Sequence, residues 1–255
     1  MGSALAGGWL NAELARLIEI VEPHPSPVVQ AWGMTKDVVI NPKPQAAEWL
    51  VVAVKPQMFS DLAPQISKWV DPNTKVLSVM AGVSLATIAA KLGTKHVARA
   101  MPNTPGLIGK GITALCTQSG TTTQQIDAYK SLLTPIGAVE GPVDEALLPA
   151  ITAVSGAGPA YAFLLAEVMA AAGIAHGLEP DLAMRLARKT VEGAGALMEA
   201  SDEDAATLRR NVTSPNGVTQ AALEVLMSDG AMPSLFEKAI GASIRRDHEL
   251  SRESE

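Results

Sequence analysis

The chain contains 255 residues, of which 47% are hydrophobic and 18% are charged, and its formal net charge at pH 7 is −6. This length and composition predict one large or two smaller globular domains with buried cores. The acidic balance and the lack of a lysine- or arginine-rich run argue against nucleic acid as a partner. No apolar run has the length of a membrane span and the first residues do not resemble a secretory leader, so we expect a cytoplasmic protein without a membrane partner.

Cysteine and histidine usage predicts neither a disulfide nor a metal site. The single cysteine, Cys116, cannot form a disulfide within the chain, and it lies in an apolar run that favours the core. His24, His96, His176 and His248 are scattered without the spacing of a metal-ligand motif. We therefore expect a metal-free protein.

The first 144 residues alternate β-rich runs with helical segments. Residues 49–54 and 75–80 are continuous apolar runs, which are typical of strands covered on both faces in a parallel sheet. Residues 1–10 have helical spacing, and Ser84 can cap a helix over residues 85–92. Further strand candidates are residues 17–21, 37–40, 96–101, 111–116 and 137–140. This alternation predicts a doubly wound α/β domain.

Helical patterns dominate the chain after residue 144. The predicted helices cover residues 145–153, 160–172, 180–201, 204–211, 219–228 and 232–252. We therefore predict an α/β domain over residues 1–144 and an all-α domain over residues 145–255. The second domain is rich in alanine and glycine and poor in large side chains, so we expect a second subunit to complete its core.

The stretch from Ser155 to Tyr161 has the features of a ligand-binding helix start. Gly156 and Gly158 allow tight turns and a close approach of the backbone to a ligand. Pro159 suits the first turn of a helix, whose free N–H groups can face a planar or anionic group. A capped loop that leads into a buried helix explains the same residues equally well.

Three strand ends are further candidates because ligands of open α/β sheets bind at the carboxyl ends of the strands. Lys55 can approach phosphate or ribose oxygens, Gly82 permits a close backbone approach, and Asn103 lies between prolines that stiffen its loop. Each residue also has a structural explanation, as a solvated charge, an ordinary turn or a turn residue. Their shared position at one edge of a sheet favours a binding site.

A dinucleotide-binding domain usually begins with a strand followed by the motif G-x-G-x-x-G. The sequence shows neither feature near its start. If Gly2 is the third glycine of the motif, we expect the first strand and the first two glycines upstream of Met1. Glu22 then lies about 20 residues further on, where an acidic residue can bind the ribose 2′-hydroxyl.

The segment 211–219 is a candidate site for a carboxylate. Thr219 can cap the following helix, and the amides of Val218 and Thr219 suit a small carboxylate. The hydroxyls of Thr213, Ser214 and Thr219 can donate or accept hydrogen bonds. A plain capped turn explains the same sequence.

Taken in order, these segments resemble the pyrroline-5-carboxylate reductase family. The matching stretches are residues 53–57, 81–83, 99–105, 154–161 and 212–219, and their spacing fits from Met1 to around Leu250. The resemblance implies a Rossmann-like NAD(P)H-binding domain followed by a helical dimerisation domain. It also implies active sites at the dimer interface and dimers that assemble into larger rings. Asn216 stands where the family usually has glycine, and asparagine tolerates a positive φ better than most residues.

The resemblance also implies roles for individual residues. Cofactor contacts are implied at Met1, Gly2, His24, Ala53, Val54, Lys55, Pro56, Met80, Ala81, Glu145 and Asn211, and the strand-end argument adds Asn103. Substrate contacts are implied at Ser155, Gly156, Ser214, Val218 and Thr219. Thr219 is the implied catalytic residue, which orients the ring nitrogen of the substrate and shares its proton.

The implied reaction is hydride transfer from NADPH or NADH to the cyclic imine 1-pyrroline-5-carboxylate, which gives L-proline in the last step of proline biosynthesis. Glu22 would favour NADH by repelling a 2′-phosphate, whereas His24 and the residues around it could accept NADPH. Two alternatives stay open. One is a related imine or β-hydroxyacid reductase with Lys189 as its catalytic lysine, and the other is a truncated, non-catalytic subunit that only dimerises.

Overall fold

The computed structural model describes residues 1–254, which form two compact units. The first unit contains residues 1–156 and the chain from Ser243 onward, and the second contains residues 157–242. The sequence placed a boundary after residue 144 because the β patterns stop there. The folded chain divides later because Leu148, which is 2% exposed, packs into a core cluster of the first unit.

The strands of the first unit form two sheets. β1 (Ile18–Ile20) and β2 (Val38–Ile40) form a parallel pair. The larger sheet has the strand order β3 (Trp49–Val52), β4 (Lys75–Ser78), β5 (Val97–Met101), β6 (Gly111–Thr117) and β7 (Gly137–Glu140). Neighbouring strands in it run parallel except β5 and β6, which are antiparallel with Ala100 opposite Leu115. This reversal follows from the short connection over residues 102–110, because a parallel pair requires a crossover of roughly a dozen or more residues.

Helices cover both faces of the larger sheet. The α-helices before β7 are α1 (Gly2–Asn11), α2 (Pro27–Trp32), α3 (Pro56–Ile66), α4 (Leu85–Leu92) and α5 (Thr123–Leu133). Val76 of β4 packs in one core cluster with Phe59 and Ile88. Its neighbour Leu77 packs in a second cluster with Leu5, on the opposite face of the strand. The doubly wound α/β fold predicted from the sequence is thereby confirmed.

The predicted helix over residues 145–153 is interrupted. The chain forms a 3₁₀ turn (Glu145–Leu147), a short helix α6 (Leu148–Ile151) and a π-helical turn (Thr152–Gly156), called the π-turn segment below. The Thr152 hydroxyl donates to the carbonyl oxygen of Leu148 at 2.7 Å, and the Ser155 hydroxyl donates to that of Ile151 at 3.0 Å. Such side-chain bonds compete with the regular helical ladder. Single π-turns are rare and frequently occur at functional sites.

The second unit is helical. It contains α7 (Gly158–Ala175), α8 (Pro180–Ala200), α9 (Ala205–Asn211), α10 (Val218–Leu226) and the first part of α11 (Met232–Ser254). The buried residues between α7 and α8 are alanines, namely Ala166, Ala170, Ala183 and Ala187. Their small side chains allow the two helices to lie close together.

Large apolar side chains are exposed on α7. Phe163 is 69% exposed, Leu164 is 55% exposed and Val168 is 50% exposed. In the described chain, Glu145–Ala175 is long and apolar enough to cross a membrane by length and composition, and only 11% of its apolar window is buried. The expectation that no apolar run has this length is therefore wrong. An exposed apolar surface of this kind is typical of a site that contacts another protein or a membrane.

Candidate active site

The start of α1 lies beside the end of β3. A Cβ atom added to Gly2 would stand 3.2 Å from the Cβ atom of Ala53, so glycine permits this close approach. Met1 is the N-cap of α1, while the exposed Lys55 is the N-cap of α3. The predicted cofactor residues at this strand end are Ala53, Val54, Lys55 and Pro56. Two helices therefore begin near the end of β3, where their first N–H groups suit an anionic ligand.

The turn after β4 adds a stretch of backbone next to this strand end. Met80 is 1% exposed, so a ligand at this turn meets its backbone rather than its side chain. Gly82 has a φ of +69°, and a Cβ atom added to it would lie 3.2 Å from the backbone nitrogen of Ser251. The end of α11 therefore packs against the turn that contains Ala81 and Gly82. Ser84 caps α4, as predicted from the sequence.

Glu22 and His24 follow β1 on the surface. The backbone N–H of Glu22 donates to Asn41 Oδ1 at 2.8 Å, and Asn41 Nδ2 donates to the carbonyl oxygen of Glu22 at 2.9 Å. The carboxylate of Glu22 accepts the backbone N–H of His24 at 3.0 Å. These bonds fix the carboxylate of Glu22 against the backbone of His24, and both predicted cofactor preferences stay predictions.

A partly buried ion pair joins β5 to the chain after β7, with the Arg99 side chain 8% exposed and that of Glu145 33% exposed. Arg99 is 6% exposed, and its Nη1 donates to Glu145 Oε1 at 2.7 Å. The same oxygen accepts the backbone N–H of Leu85, the first residue of α4, at 2.8 Å. Arg99 Nε is buried without a partner among the described residues. Glu145, which the resemblance assigns to the cofactor, therefore also holds three elements of the first unit together.

Two further titratable groups interact with the charges of this pair. Burial raises the pKa of the Cys116 thiol to about 11, and the charge of Glu145 raises it as well. Burial raises the pKa of Asp247, whereas the positive charges of Arg99 and His248 act in the opposite direction. Cys116 is a neutral, 1% exposed core residue, as the sequence predicted.

Asn103 connects the end of β5 to the π-turn segment. Its Nδ2 donates to the carbonyl oxygen of Ser155 at 3.1 Å, and its Oδ1 accepts the backbone N–H of Ile112 at 3.0 Å. The sequence predicted a loop stiffened by prolines with the amide held in place, and the structure shows that two backbone groups bind this amide. Its assignment to the cofactor stays a prediction.

An apolar cavity of about 400 Å³ lies beside the π-turn segment. Ile112, Val143, Leu147, Val154 and Ser155 are among the residues that line it. Val154 and Leu147 are 63% and 53% exposed, so the cavity is open at this side. The Ser155–Gly156 backbone therefore stands at the rim of an apolar recess.

The second unit carries the predicted carboxylate site in the turn before α10. Gly217 is the N-cap of α10 and no side chain caps this helix, so the prediction that Thr219 caps it is wrong. Among the residues that the structure describes, none hydrogen-bonds the Thr219 hydroxyl, which leaves that group available to a ligand. Asn216 has a φ of +57°, which confirms that asparagine supports this turn.

The remaining predicted residues of the second unit surround the same turn. The backbone N–H of Gly217 donates to the carbonyl oxygen of Ser214 at 3.0 Å. Val218 is 90% exposed, and its amide begins α10 together with that of Thr219. Asn211 ends α9 and donates through Nδ2 to Glu203 at 2.9 Å. Ser214, Val218 and Thr219 thus lie together on one turn.

Sequence reasoning missed the role of Arg99. A usable signal was present in the sequence, because Arg99 lies between Ala98 and Ala100 in the predicted strand over residues 96–101, and the structure buries every residue of β5. A buried guanidinium requires an anionic partner. The identity of that partner could not be found locally, since Glu145 lies in a distant segment.

These features define a class, namely a Rossmann-like dinucleotide-binding unit joined to a helical unit with an exposed apolar surface. Residues 145–250 match the family model described as pyrroline-5-carboxylate reductase dimerisation. The pyrroline-5-carboxylate reductase of Pseudomonas aeruginosa is 37% identical over 208 residues, which cover 81% of this chain and 76% of that protein.

Solved structures agree with this relationship. A pyrroline-5-carboxylate reductase from Coxiella burnetii is 28% identical, has a TM-score of 0.88, and the match covers 98% of this chain and 94% of that one. A Plasmodium falciparum pyrroline carboxylate reductase with NADP bound has the same fold, with 23% identity, a TM-score of 0.81 and coverage of 98% and 94%. The chain belongs to the pyrroline-5-carboxylate reductase family.

Removal of Glu145 is expected to destabilise the fold strongly. Glu145→Ala leaves the buried charge of Arg99 without its anion, at a cost of about 3 kcal/mol in the free energy of unfolding. The double variant Arg99→Leu/Glu145→Ala should cost less than the sum of the two single variants. Urea unfolding followed by tryptophan fluorescence measures all three.

Glu192→Ala is the matched control, because Lys189 and Glu192 form an exposed ion pair at 2.8 Å. Exposed pairs contribute little to stability, so no measurable change is expected. Equal effects at Glu145 and Glu192, or strictly additive effects at Arg99 and Glu145, would contradict the structural role of the buried pair.

Proposed function

We propose that this chain reduces 1-pyrroline-5-carboxylate to L-proline with a reduced nicotinamide dinucleotide, as a step of proline biosynthesis. The observation that carries the proposal is family membership over most of the chain, with 37% identity to a named reductase. The geometry agrees with it. A dinucleotide needs helix starts and open backbone at a sheet edge, and a small carboxylate needs the first amides of a helix.

The first unit has residues that fit a nicotinamide dinucleotide. Gly2 and Ala53 approach so closely that a larger side chain at position 2 would crowd the strand end. The small glycine keeps the first amides of α1 accessible to a pyrophosphate. The exposed Lys55 follows shortly after Ala53 in the chain. The backbone at Met80 and Ala81 would line the adjacent strand end. When bound, the reduced cofactor supplies the hydride, and the relative from Plasmodium falciparum is a precedent with NADP.

The reaction requires the protein mainly to position the substrate and the reduced cofactor next to each other. The protonated imine is already electrophilic at carbon, so a hydride adds there and the electrons of the C=N bond move to nitrogen, which keeps its proton. Val218 and Thr219 would bind the carboxylate through their amides, and the Thr219 hydroxyl would orient the ring nitrogen. Correct placement of two reactants can supply much of the rate enhancement.

Thr219→Ala should lower kcat by about 100-fold while the fold persists, because an orienting and proton-sharing group typically contributes at least this much. The assay follows loss of reduced nicotinamide absorbance with 1-pyrroline-5-carboxylate. Thr219→Ser keeps the hydroxyl and should retain most of the activity. Thr190→Val is the control, because the Thr190 hydroxyl only donates to the carbonyl oxygen of Leu186 within α8.

The same assay decides the proposed function. Turnover by the unaltered chain with unchanged kinetics in Thr219→Ala would remove Thr219 from the mechanism. A chain that binds no reduced nicotinamide in a fluorescence titration would instead be the non-catalytic subunit. Lys189 is an exposed helix residue paired with Glu192, so it gives no support to a β-hydroxyacid reductase.

Cofactor preference depends on Glu22 in this proposal. Glu22→Gln removes a negative charge that would repel a 2′-phosphate, so the ratio of kcat/KM for NADPH to that for NADH should rise about tenfold, or about 1.4 kcal/mol. Glu19→Gln is the control, because Glu19 lies on β1, just before Glu22 in the chain, and its carboxylate accepts from Gln45. A ratio that does not change in Glu22→Gln would place the ribose away from this carboxylate.

We further propose that a second copy covers the apolar surface of α7, and that such dimers assemble into rings. The dimerisation family model includes this helix. A membrane fits less well, because a 3₁₀ turn and a π-turn interrupt the stretch Glu145–Ala175. The exposed Phe163 is a suitable probe of this contact.

Phe163→Glu should reduce the mass in solution to that of a single chain, because a buried carboxylate without a partner opposes the contact. Light scattering on the detergent-free protein measures the mass. Lys189→Glu is the control, since its side chain is 77% exposed on α8, and its mass should equal that of the unaltered protein. A single-chain mass for the unaltered protein would contradict the dimer. A mass larger than that of a dimer would support the rings, and a mass equal to that of a dimer would contradict them.

A further inference from the structure

The amide of Asn103 is fully oriented by its surroundings. Its Nδ2 meets the carbonyl oxygen of Ser155, and its Oδ1 meets the N–H of Ile112. A carbonyl oxygen only accepts and a backbone N–H only donates, so the two partners allow a single orientation of the amide. Asn103 is 8% exposed, so its side-chain amide is largely shielded from water. Such shielding makes a lost partner costly.

The π-turn segment is anchored by packing at Ala153, which is 0% exposed, whereas its end at Ser155 and Gly156 has little packing of its own. Its two hydroxyls, on Thr152 and Ser155, are engaged with the preceding turn. Gly156 has no side chain to pack, and Val154 is 63% exposed. The bond from Asn103 ties the Ser155 carbonyl directly to the end of a buried strand of the sheet.

We propose that Asn103 is a positioning residue of the reductase, which fixes the Ser155–Gly156 backbone beside the reacting substrate and does not itself bind the cofactor. The inference rests on the proposed function and on the substrate contacts that the family resemblance implies for Ser155 and Gly156. In this arrangement, the hydrogen bond from Asn103 to Ser155 connects the π-turn segment to the rigid sheet and fixes its position. Misplacement by about 1 Å at such a site can cost roughly 100-fold in rate.

Asn103→Asp isolates one of the two bonds. The introduced carboxylate still accepts from the N–H of Ile112, but it cannot donate to the carbonyl oxygen of Ser155 and repels it. At pH 8 we expect kcat to fall about tenfold, with the KM for reduced nicotinamide unchanged. Asn103→Ala loses both hydrogen bonds, so its kcat should fall by at least as much as that of Asn103→Asp.

The pH profile separates positioning from a general loss of stability. Protonation of the introduced carboxyl restores a donor towards Ser155, so the ratio of kcat in Asn103→Asp to kcat in the unaltered enzyme should rise as the pH is lowered. The ratio for Asn103→Ala should stay flat. Taking the ratio at each pH removes the protonation of the substrate itself from the comparison.

Amide hydrogen exchange measures the same contact without activity. At pH 8, peptides covering residues 152–158 should exchange faster in Asn103→Asp than in the unaltered chain, while the amide of Ile112 stays protected. Thr113→Val is the control on the neighbouring residue, because the buried Thr113 hydroxyl has no partner among the described residues. Its kinetics and exchange should match those of the unaltered chain.

Three results would overturn the inference. The first is an unchanged kcat in Asn103→Asp at every pH, and the second is unchanged exchange over residues 152–158. The third is a raised KM for reduced nicotinamide with kcat intact, which would make Asn103 a cofactor ligand. If the unaltered chain does not reduce 1-pyrroline-5-carboxylate, the proposed function fails, and the exchange experiment still decides whether Asn103 holds the segment.

Discussion

Arg99 sets the constraint on which the first unit depends. It lies in the middle of β5, where all five residues are buried, so its guanidinium must find an anion inside the protein. Glu145 supplies that anion from the chain after β7, and the same carboxylate oxygen receives the first amide of α4. One ion pair therefore ties a strand, a helix start and the approach to the π-turn segment to each other.

Local patterns were sufficient to predict most of the fold. The apolar runs at residues 49–54 and 75–80 became β3 and β4, because strands covered on both faces need apolar residues at successive positions. The cap at Ser84 also followed from its immediate neighbours. The reversal of β6 and the break at residues 145–156 were missed, since they depend on connection length and on contacts made across the unit.

The sequence predicted which residues form the candidate site, but it did not predict the contacts that hold them. The turn at Asn216 was predicted, whereas the capping role of Thr219 was wrong because Gly217 takes the N-cap position. Asn103 was expected to be held in place, yet its partners lie at Ile112 and Ser155. Such partners come together only when the sheet forms, so a single sequence does not reveal them.

The first unit takes its residues from both ends of the chain. The turn at Gly82 packs against Ser251 on α11, although most of the sequence separates them. Chains are made from the N-terminus, so the sheet emerges from the ribosome well before this helix. The cover over the strand-end turn can form only after residue 251 has been synthesised. In a nascent chain or a product shortened within α11, the turn at Gly82 would therefore lack its contact with Ser251.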